Sequence, residues 1–365
     1  MKTRIALAAA FAALAVAGGA HAQSKKPVNI FIWNDYLGET TLADFTKATG
    51  FQTKVDLYDS LELLEQKVLV GKSGYDVIVP TAEPTLSRMI QAKVLAPLDK
   101  AKIPNLKNVD PAMLKLVETS DPGNKFAVPY LGGTVGIGIV PEKIKAVAPD
   151  VPLDSWDLIF KPEVAKKVSA CGITLMDSAI DVIPSVLNYL GLDPNSEKKE
   201  DLDKAEKALM AVRPYIKQFV TGQNINLLAA GDACVVMAYN GDVNQATSRA
   251  KEANASHTVQ YVAPKEGVQV WWDTLAVPAD APNKEGAHAF INFVLDPVNI
   301  AGITNFVKYA NAVPASLEHV DPEVKANPAI FLPETAKVKL FSLKAVKQST
   351  DRARTRVWTK VKTGK

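Results

Sequence analysis

The strongest constraint on this chain is a regular alternation of strand and helix patterns between Pro27 and Pro80. Pro27–Trp33 is an apolar run that ends in the turn-like Asn34-Asp35-Tyr36. Thr40–Thr49 then places Leu42, Phe45 and Ala48 at helical spacing and stops at Gly50. Gln52–Leu57 reads as a second strand. Ser60 caps a helix that carries Leu61, Leu64 and Val68 on one face, and Tyr75–Val79 is a buried strand closed by Pro80. This βαβαβ order predicts a parallel sheet with helical crossovers. In such sheets ligands lie beyond the carboxyl ends of the strands, which here are Trp33-Asn34-Asp35-Tyr36 and Thr81-Ala82-Glu83.

A second α/β region follows. Helices are expected near Ala179–Leu190, Asp201–Val220 and Lys284–Leu295. Strands are expected at Ser169–Leu175, Ala233–Ala238, Thr258–Ala263 and Trp271–Val277. Gly132-Gly133-Thr134-Val135-Gly136-Ile137-Gly138 reads as a backbone-permissive connection between the two regions. A chain of 365 residues accommodates two such domains.

The N-terminus is read as a removable leader. Met1-Lys2-Thr3-Arg4 is basic, Ile5–Ala17 is apolar but too short to span a bilayer, and Ala20-His21-Ala22 is an A-x-A cleavage site. Residues 1–22 are therefore expected to be a signal peptide and the mature chain to be exported. In an oxidising compartment Cys171 and Cys234, the only two cysteines, are expected to form a disulfide. Residues Lys337–Lys365 carry a net charge of +9, and Gln23–Ala336 a net charge of −8. With 47% hydrophobic and 22% charged residues, the composition excludes a disordered polyampholyte and a multi-span membrane protein.

Catalytic and cofactor motifs fail. Gly71-Lys72-Ser73 lacks the earlier glycine of a phosphate loop, Gly136-x-Gly138 lacks the third glycine of a dinucleotide fingerprint, and the four histidines are scattered. No cofactor or metal is expected. What remains is aromatic residues beside carboxylates: Trp33-Asn34-Asp35-Tyr36, Tyr239-Asn240-Gly241-Asp242, Trp271-Trp272-Asp273, and Tyr309-Ala310-Asn311 without an acid of its own. Asp177 and Asp181 add an acidic pair. Aromatic faces attract ammonium groups and cover alkyl chains, and buried carboxylates pair the charge, so the pattern suits an organic cation. Paired acids also suit general acid/base work.

At these residues the sequence resembles the periplasmic polyamine-binding receptors of bacterial ABC importers, across essentially the whole mature chain. The resemblance rests on Ile32-Trp33-Asn34-Asp35-Tyr36, Asp76-Val77-Ile78-Val79-Pro80, Gly136-Ile137-Gly138, Asp154-Ser155-Trp156-Asp157, Asn188-Tyr189-Leu190-Gly191 and Gly241-Asp242-Val243. Asp351-Arg352-Ala353-Arg354-Thr355-Arg356, Trp358-Thr359-Lys360-Val361-Lys362 and the Cys171/Cys234 pair are similar to the putrescine-receptor branch. The resemblance implies a type II periplasmic binding protein of two α/β lobes, each a central sheet flanked by helices, with a hinged cleft between them. Lobe 1 is expected at 27–133 plus 264–305, and lobe 2 at 134–263 plus 306–365.

By the same resemblance Trp33, Tyr239, Trp271 and Tyr309 form aromatic walls. Asp242 and Asp273 take the principal amine-binding roles, Asp181 is a third acid where Glu is common, and Thr81 stands where a ligand-contacting Ser is usual. Asn34 and Asp35, followed by Tyr36, lie at the lobe lip. Departures from the putrescine branch (Tyr239 where Trp is common, Trp271 where Phe is common, the shorter Asp181 and Glu83 as an extra acid) point toward a triamine such as spermidine and leave putrescine and spermidine as near equals. The implied partners are a polyamine and the membrane permease subunits of an ABC importer, with the chain a periplasmic monomer that binds no nucleic acid. The competing readings are an exported enzyme using Asp177/Asp181 or Asp242/Asp273, and a polyanion binder using the basic C-terminal segment.

Overall fold

The computed structural model describes residues 25–331 and 339–365. The expected signal peptide at 1–22 lies outside the described residues. Among the described residues eleven strands form one connected sheet: β1 (Val28–Trp33), β2 (Thr53–Tyr58), β3 (Val77–Ile78), β4 (Ala127–Ile139), β5 (Ile173–Leu175), β6 (Gln218–Phe219), β7 (Val235–Tyr239), β8 (Gln260–Val262), β9 (Val268–Ala276), β10 (Ala310–Asn311) and β11 (Leu340–Ser342). The main path runs β2-β1-β3-β9-β4-β7-β5-β6.

The expected βαβαβ unit is present. β1 pairs in parallel with both β2 and β3. β1 is buried along most of its length, as an apolar run flanked by two neighbours should be, whereas β2 alternates as an edge strand does. The helix Thr41–Thr49 covers one face by inserting Phe45 against Phe290 and Phe293, with ring centroids 5.2 and 5.6 Å away. Ser60 caps the helix Leu61–Leu69 by accepting from the Leu63 amide, and Leu61, Leu64 and Val68 are buried.

The second half repeats the plan. β5 pairs in parallel with β6 and β7, and the helices Ala179–Tyr189 and Lys199–Val212 pack beside them. Both expected helix ends shorten. Pro214 stops the second helix at Val212 where Val220 was expected. The strand expected from Ser169 begins only at Ile173, because Ser169–Cys171 makes a single turn and Gly172 then adopts φ +94°.

The glycine-rich segment corrects the reading from sequence. It is not a permissive connection but the middle of β4, the longest strand, which pairs with β9 in one half and with β7 and β8 in the other. Its glycines serve close approach. A Cβ at Gly132 would lie 2.5 Å from the Trp272 ring, and one at Gly133 would lie 2.3 Å from Asn240 Oδ1. β9 is likewise longer than expected, starting at Val268, so Trp271 and Asp273 sit within the crossing strand and not at a strand end.

The basic C-terminal segment is docked. In the helix Gln348–Thr363, Val357, Trp358 and Val361 are buried. Lys362 pairs with Asp177, Lys360 pairs with Glu206, and Arg354 donates to the carbonyl of Pro194. No single described helix is long and apolar enough to cross a membrane.

Cys171 and Cys234 are joined, closing a loop with a sequence separation of 63. A loop of that length constrains the unfolded chain by about 4 kcal/mol in the chain-entropy model. Replacing both cysteines with Ala should therefore lower stability by a few kcal/mol while retaining the far-ultraviolet circular dichroism of the fold. An unchanged denaturation midpoint would contradict this.

Candidate ligand-binding site

The carboxyl ends of the two parallel strand sets face each other across β4 and β9, and a cleft lies between them. Every residue to which the resemblance assigned a wall, amine-binding or lip role lines it. Trp33 ends β1, with Asn34, Asp35 and Tyr36 in the following turn, and Thr81 follows β3. Asp181 lies in the first turn of the helix after β5. Tyr239 ends β7, Asp242 lies in the first turn of the helix Asn240–Glu252, Trp271 and Asp273 sit on β9, and Tyr309 precedes β10.

The aromatic residues form a continuous wall. Trp33 meets Tyr239 edge-on at 6.1 Å between centroids, Tyr239 meets Trp271 at 5.4 Å, Trp271 meets Tyr309 at 5.4 Å, and Tyr309 meets Tyr36 at 5.4 Å. These edge-to-face contacts leave ring faces for a guest.

Each of the three carboxylates is held by neutral donors. Thr81 Oγ1 donates to Asp273 Oδ1 at 2.5 Å, and Tyr309 OH donates to Asp242 Oδ1 at 2.7 Å. Asp181 accepts from Tyr239 OH and from Gln269 Nε2, both at 2.9 Å. Burial pushes the Asp273 carboxyl up to about 7, with the nearby Asp181 adding to the rise. Burial likewise raises Asp242 to about 7, and Asp35 adds to it while Arg249 opposes it. Asp181 is also raised by burial, against its hydrogen bonds from Ser178, Tyr239 and Gln269. Tyr309 and Tyr239 are pushed up by burial and by their carboxylate partners, so both hydroxyls stay protonated as donors. Trp33 Nε1, Tyr36 OH, Trp271 Nε1 and Gln269 Oε1 are buried without a hydrogen-bond partner. Tyr36 OH and Gln269 Oε1 can accept a bond from a guest, whereas the two indole N–H groups only donate.

The two halves also touch across the cleft mouth. Arg249 Nη2 pairs with Asp35 Oδ1 at 2.9 Å, and Asp35 holds a left-handed φ of 51°. Gly222 faces Asn34 so closely that a Cβ there would lie 2.9 Å from Asn34 Nδ2.

Other residues resolve differently. Asp177 is outside the cleft lining, taken by Trp358 Nε1 and Lys362 Nζ, which removes the Asp177/Asp181 acid/base pair. Glu83 lines the cleft, yet its oxygens accept from Ser87, Ser120 and the Ala345 amide. Trp272 points to the opposite face of β9, against Gly132. Sequence reasoning missed Gln269, Thr221, Gly222 and Leu343. For Gln269 a signal existed: strand alternation puts 269, 271 and 273 on one face. The others arrive from loops whose approach to the cleft is tertiary. Among the described residues no group of three or more His, Cys, Asp or Glu is placed to hold a metal ion.

Comparison with known proteins gives a consistent set. Residues 40–332 match the family described as bacterial extracellular solute-binding protein. The chain is 46% identical to the putrescine-binding periplasmic protein PotF of Escherichia coli, over 97% of this chain and 96% of that one. It is 44% identical to the putrescine-binding periplasmic protein SpuD of Pseudomonas aeruginosa, over 96% of this chain and 95% of that one. Among solved structures it is similar to the spermidine/putrescine ABC transporter substrate-binding protein PotD of Streptococcus pneumoniae. There the TM-score is 0.72 at 26% identity, covering 93% of this chain and 99% of that one.

The buried carboxyls set a pH dependence for the unliganded protein. The folded protein holds protons on Asp242 and Asp273 up to about 7, whereas the unfolded chain releases them near the ordinary value of about 3.9. Between these values the folded state binds more protons, so stability is greatest below the window and is lost as pH rises through it. The denaturation midpoint of the ligand-free protein should be higher at pH 5 than at pH 8, with a smaller difference in the Asp242→Asn/Asp273→Asn double variant. Equal slopes in the two proteins would contradict the assignment.

Proposed function

The chain belongs to the bacterial extracellular solute-binding proteins, and we propose that it is the periplasmic receptor of an ABC importer, which captures a polyamine in the cleft and delivers it to membrane permease subunits. The observation that carries this reading is the charge of the lining. Six carboxylates face the cleft (Asp35, Asp59, Glu83, Asp181, Asp242 and Asp273), and no Lys, Arg or His lines it among the described residues. A wall of that sign repels carboxylate and phosphate ligands and calls for a cation. The aromatic belt narrows the cation to one with an alkyl chain. The relatives named for putrescine and spermidine binding support the same class.

In this reading each ammonium group meets a carboxylate that a hydroxyl already orients. Thr81 holds one oxygen of Asp273, and Tyr309 holds one oxygen of Asp242. Trp33, Tyr36, Tyr239, Trp271 and Tyr309 cover the methylenes and exclude water, which strengthens the paired charges. The task is binding and release, and no bond in the ligand is made or broken.

The lobes in this proposal are 27–133 plus 264–305 and 134–263 plus 306–365, moving about β4 and β9. The stretch from β10 to Phe331 straddles the hinge: Ala312 bonds Tyr130 and Asp110, while Asn240 bonds Ala329. Asn34, Asp35, Gly222 and Arg249 form the jaw that parts when ligand enters. Residues 1–22 serve as the export leader, and one chain suffices for closure, so the receptor acts as a monomer. The docked C-terminal helix supports a structural role for its basic residues over a nucleic-acid site.

Calorimetric titration with putrescine, cadaverine, spermidine, spermine and agmatine tests the proposal. At least one polyamine should bind at micromolar strength or tighter, about 8 kcal/mol. Asp242→Asn and Asp273→Asn should each weaken that ligand by about thirtyfold or more, the cost of about 2 kcal/mol for stranding a desolvated ammonium. Absence of binding by every polyamine to folded, ligand-free protein would overturn the reading.

A further inference from the structure

Gln269 occupies the same face of β9 as Trp271 and Asp273, lines the cleft, and is 2% exposed. Its Nε2 donates to Asp181 Oδ1 at 2.9 Å. The amide nitrogen thus faces Asp181 and the carbonyl is directed away from it. That carbonyl oxygen is buried and has no partner. Asp181 Oδ2 is meanwhile held by Tyr239 OH. Gln269, Asp181 and Tyr239 thus form a polar unit with an acceptor left over.

The place of this unit along the wall matters. Tyr239 and Tyr309 each pack edge-to-face on Trp271 at 5.4 Å. Asp181 is bonded to Tyr239 and Asp242 to Tyr309, so these two acids belong to separate stretches of the wall. Asp273, two residues beyond Trp271 on β9, is held separately by Thr81. The cleft therefore offers three separately held carboxylates. The first is Asp242 with Tyr309, the second is Asp273 with Thr81, and the third is Asp181 with Gln269 and Tyr239. A diamine has ammonium groups for two of them and leaves the Gln269 carbonyl unsatisfied, whereas a triamine supplies a third donor.

We propose that the Gln269 carbonyl and the Asp181 carboxylate together receive a third ammonium group, making Gln269 the residue that matches this cleft to a triamine over a diamine. The inference rests on the polyamine reading above and adds to it the number of nitrogens recognised.

Two measurements on the full mature protein test it. The first needs no variant: titrate wild type with spermidine, putrescine and N-butylputrescine, which keeps the length of spermidine but lacks its terminal aminopropyl nitrogen. Spermidine should bind at least about tenfold tighter than either, the scale of one satisfied buried acceptor. The second uses Gln269→Met, similar in size but without the carbonyl acceptor, checked for folding by its melting curve. It should lose about tenfold for spermidine and less than about threefold for putrescine. Equal affinity of wild type for spermidine and N-butylputrescine overturns the third station. So does an equal loss for spermidine and putrescine in Gln269→Met, which would make Gln269 a support for Asp181 alone. Failure of wild type to bind any polyamine contradicts the parent reading, whereas tight putrescine binding with no gain for spermidine overturns only the third station.

Discussion

The antiparallel pairing of β4 with β9 is the constraint on which the rest depends. Those two strands join the halves of the sheet, and their register turns the carboxyl ends of β1–β3 and of β5–β7 toward a common space. β9 also supplies the middle of the site, because Gln269, Trp271 and Asp273 share one of its faces. Glycines in β4 let Trp272 and Asn240 lie against the strand without forcing it apart. A loop at that position would give the halves no fixed relation. A strand does, and still leaves the hinge bending that closure requires.

On that frame the chemistry is a contest between burial and charge. Removing carboxylates from water without a counter-charge is unfavourable, and the protein answers with neutral hydroxyl and amide donors at Asp181, Asp242 and Asp273. Those donors orient the acids but do not neutralise them, so Asp242 and Asp273 retain protons to about 7. Arg249, whose charge opposes the rise at Asp242, is paired with Asp35 at the mouth, and no Lys, Arg or His lines the cleft among the described residues. In the polyamine reading the missing positive charge arrives with the ligand, and the aromatic wall offers faces for its alkyl chain.

Much of this was legible in the sequence, and the limits have physical causes. Local periodicity and turn chemistry located β1, β2 and the helices from Thr41 and Leu61, because each is built from contacts close in sequence. Aromatic residues beside acids at Trp33, Tyr239 and Trp271 pointed to the cleft, the first two because strand ends converge in this class of sheet and Trp271 although it lies inside β9. The glycine run misled because glycine permits both a flexible link and a strand under close side-chain approach, and only the partners Trp272 and Asn240 decide between them. Gln269 was overlooked although alternation placed it beside Trp271. A neutral amide carries no charge signal, and its importance emerges only from the bond to Asp181, 88 residues away in sequence.

Asp242 and Asp273, which hold protons to about 7 without a counter-charge, should ionise when a polycation enters the cleft. Calorimetry of spermidine binding near pH 6.5, in two buffers of different ionisation enthalpy, measures this directly. The ligand amines are already protonated at that pH, so any exchanged proton comes from the protein. The account predicts a net release of at least about one proton per ligand bound, with the release lost in the Asp242→Asn/Asp273→Asn variant. Binding heats that are identical in both buffers, or a net uptake of protons, would contradict it.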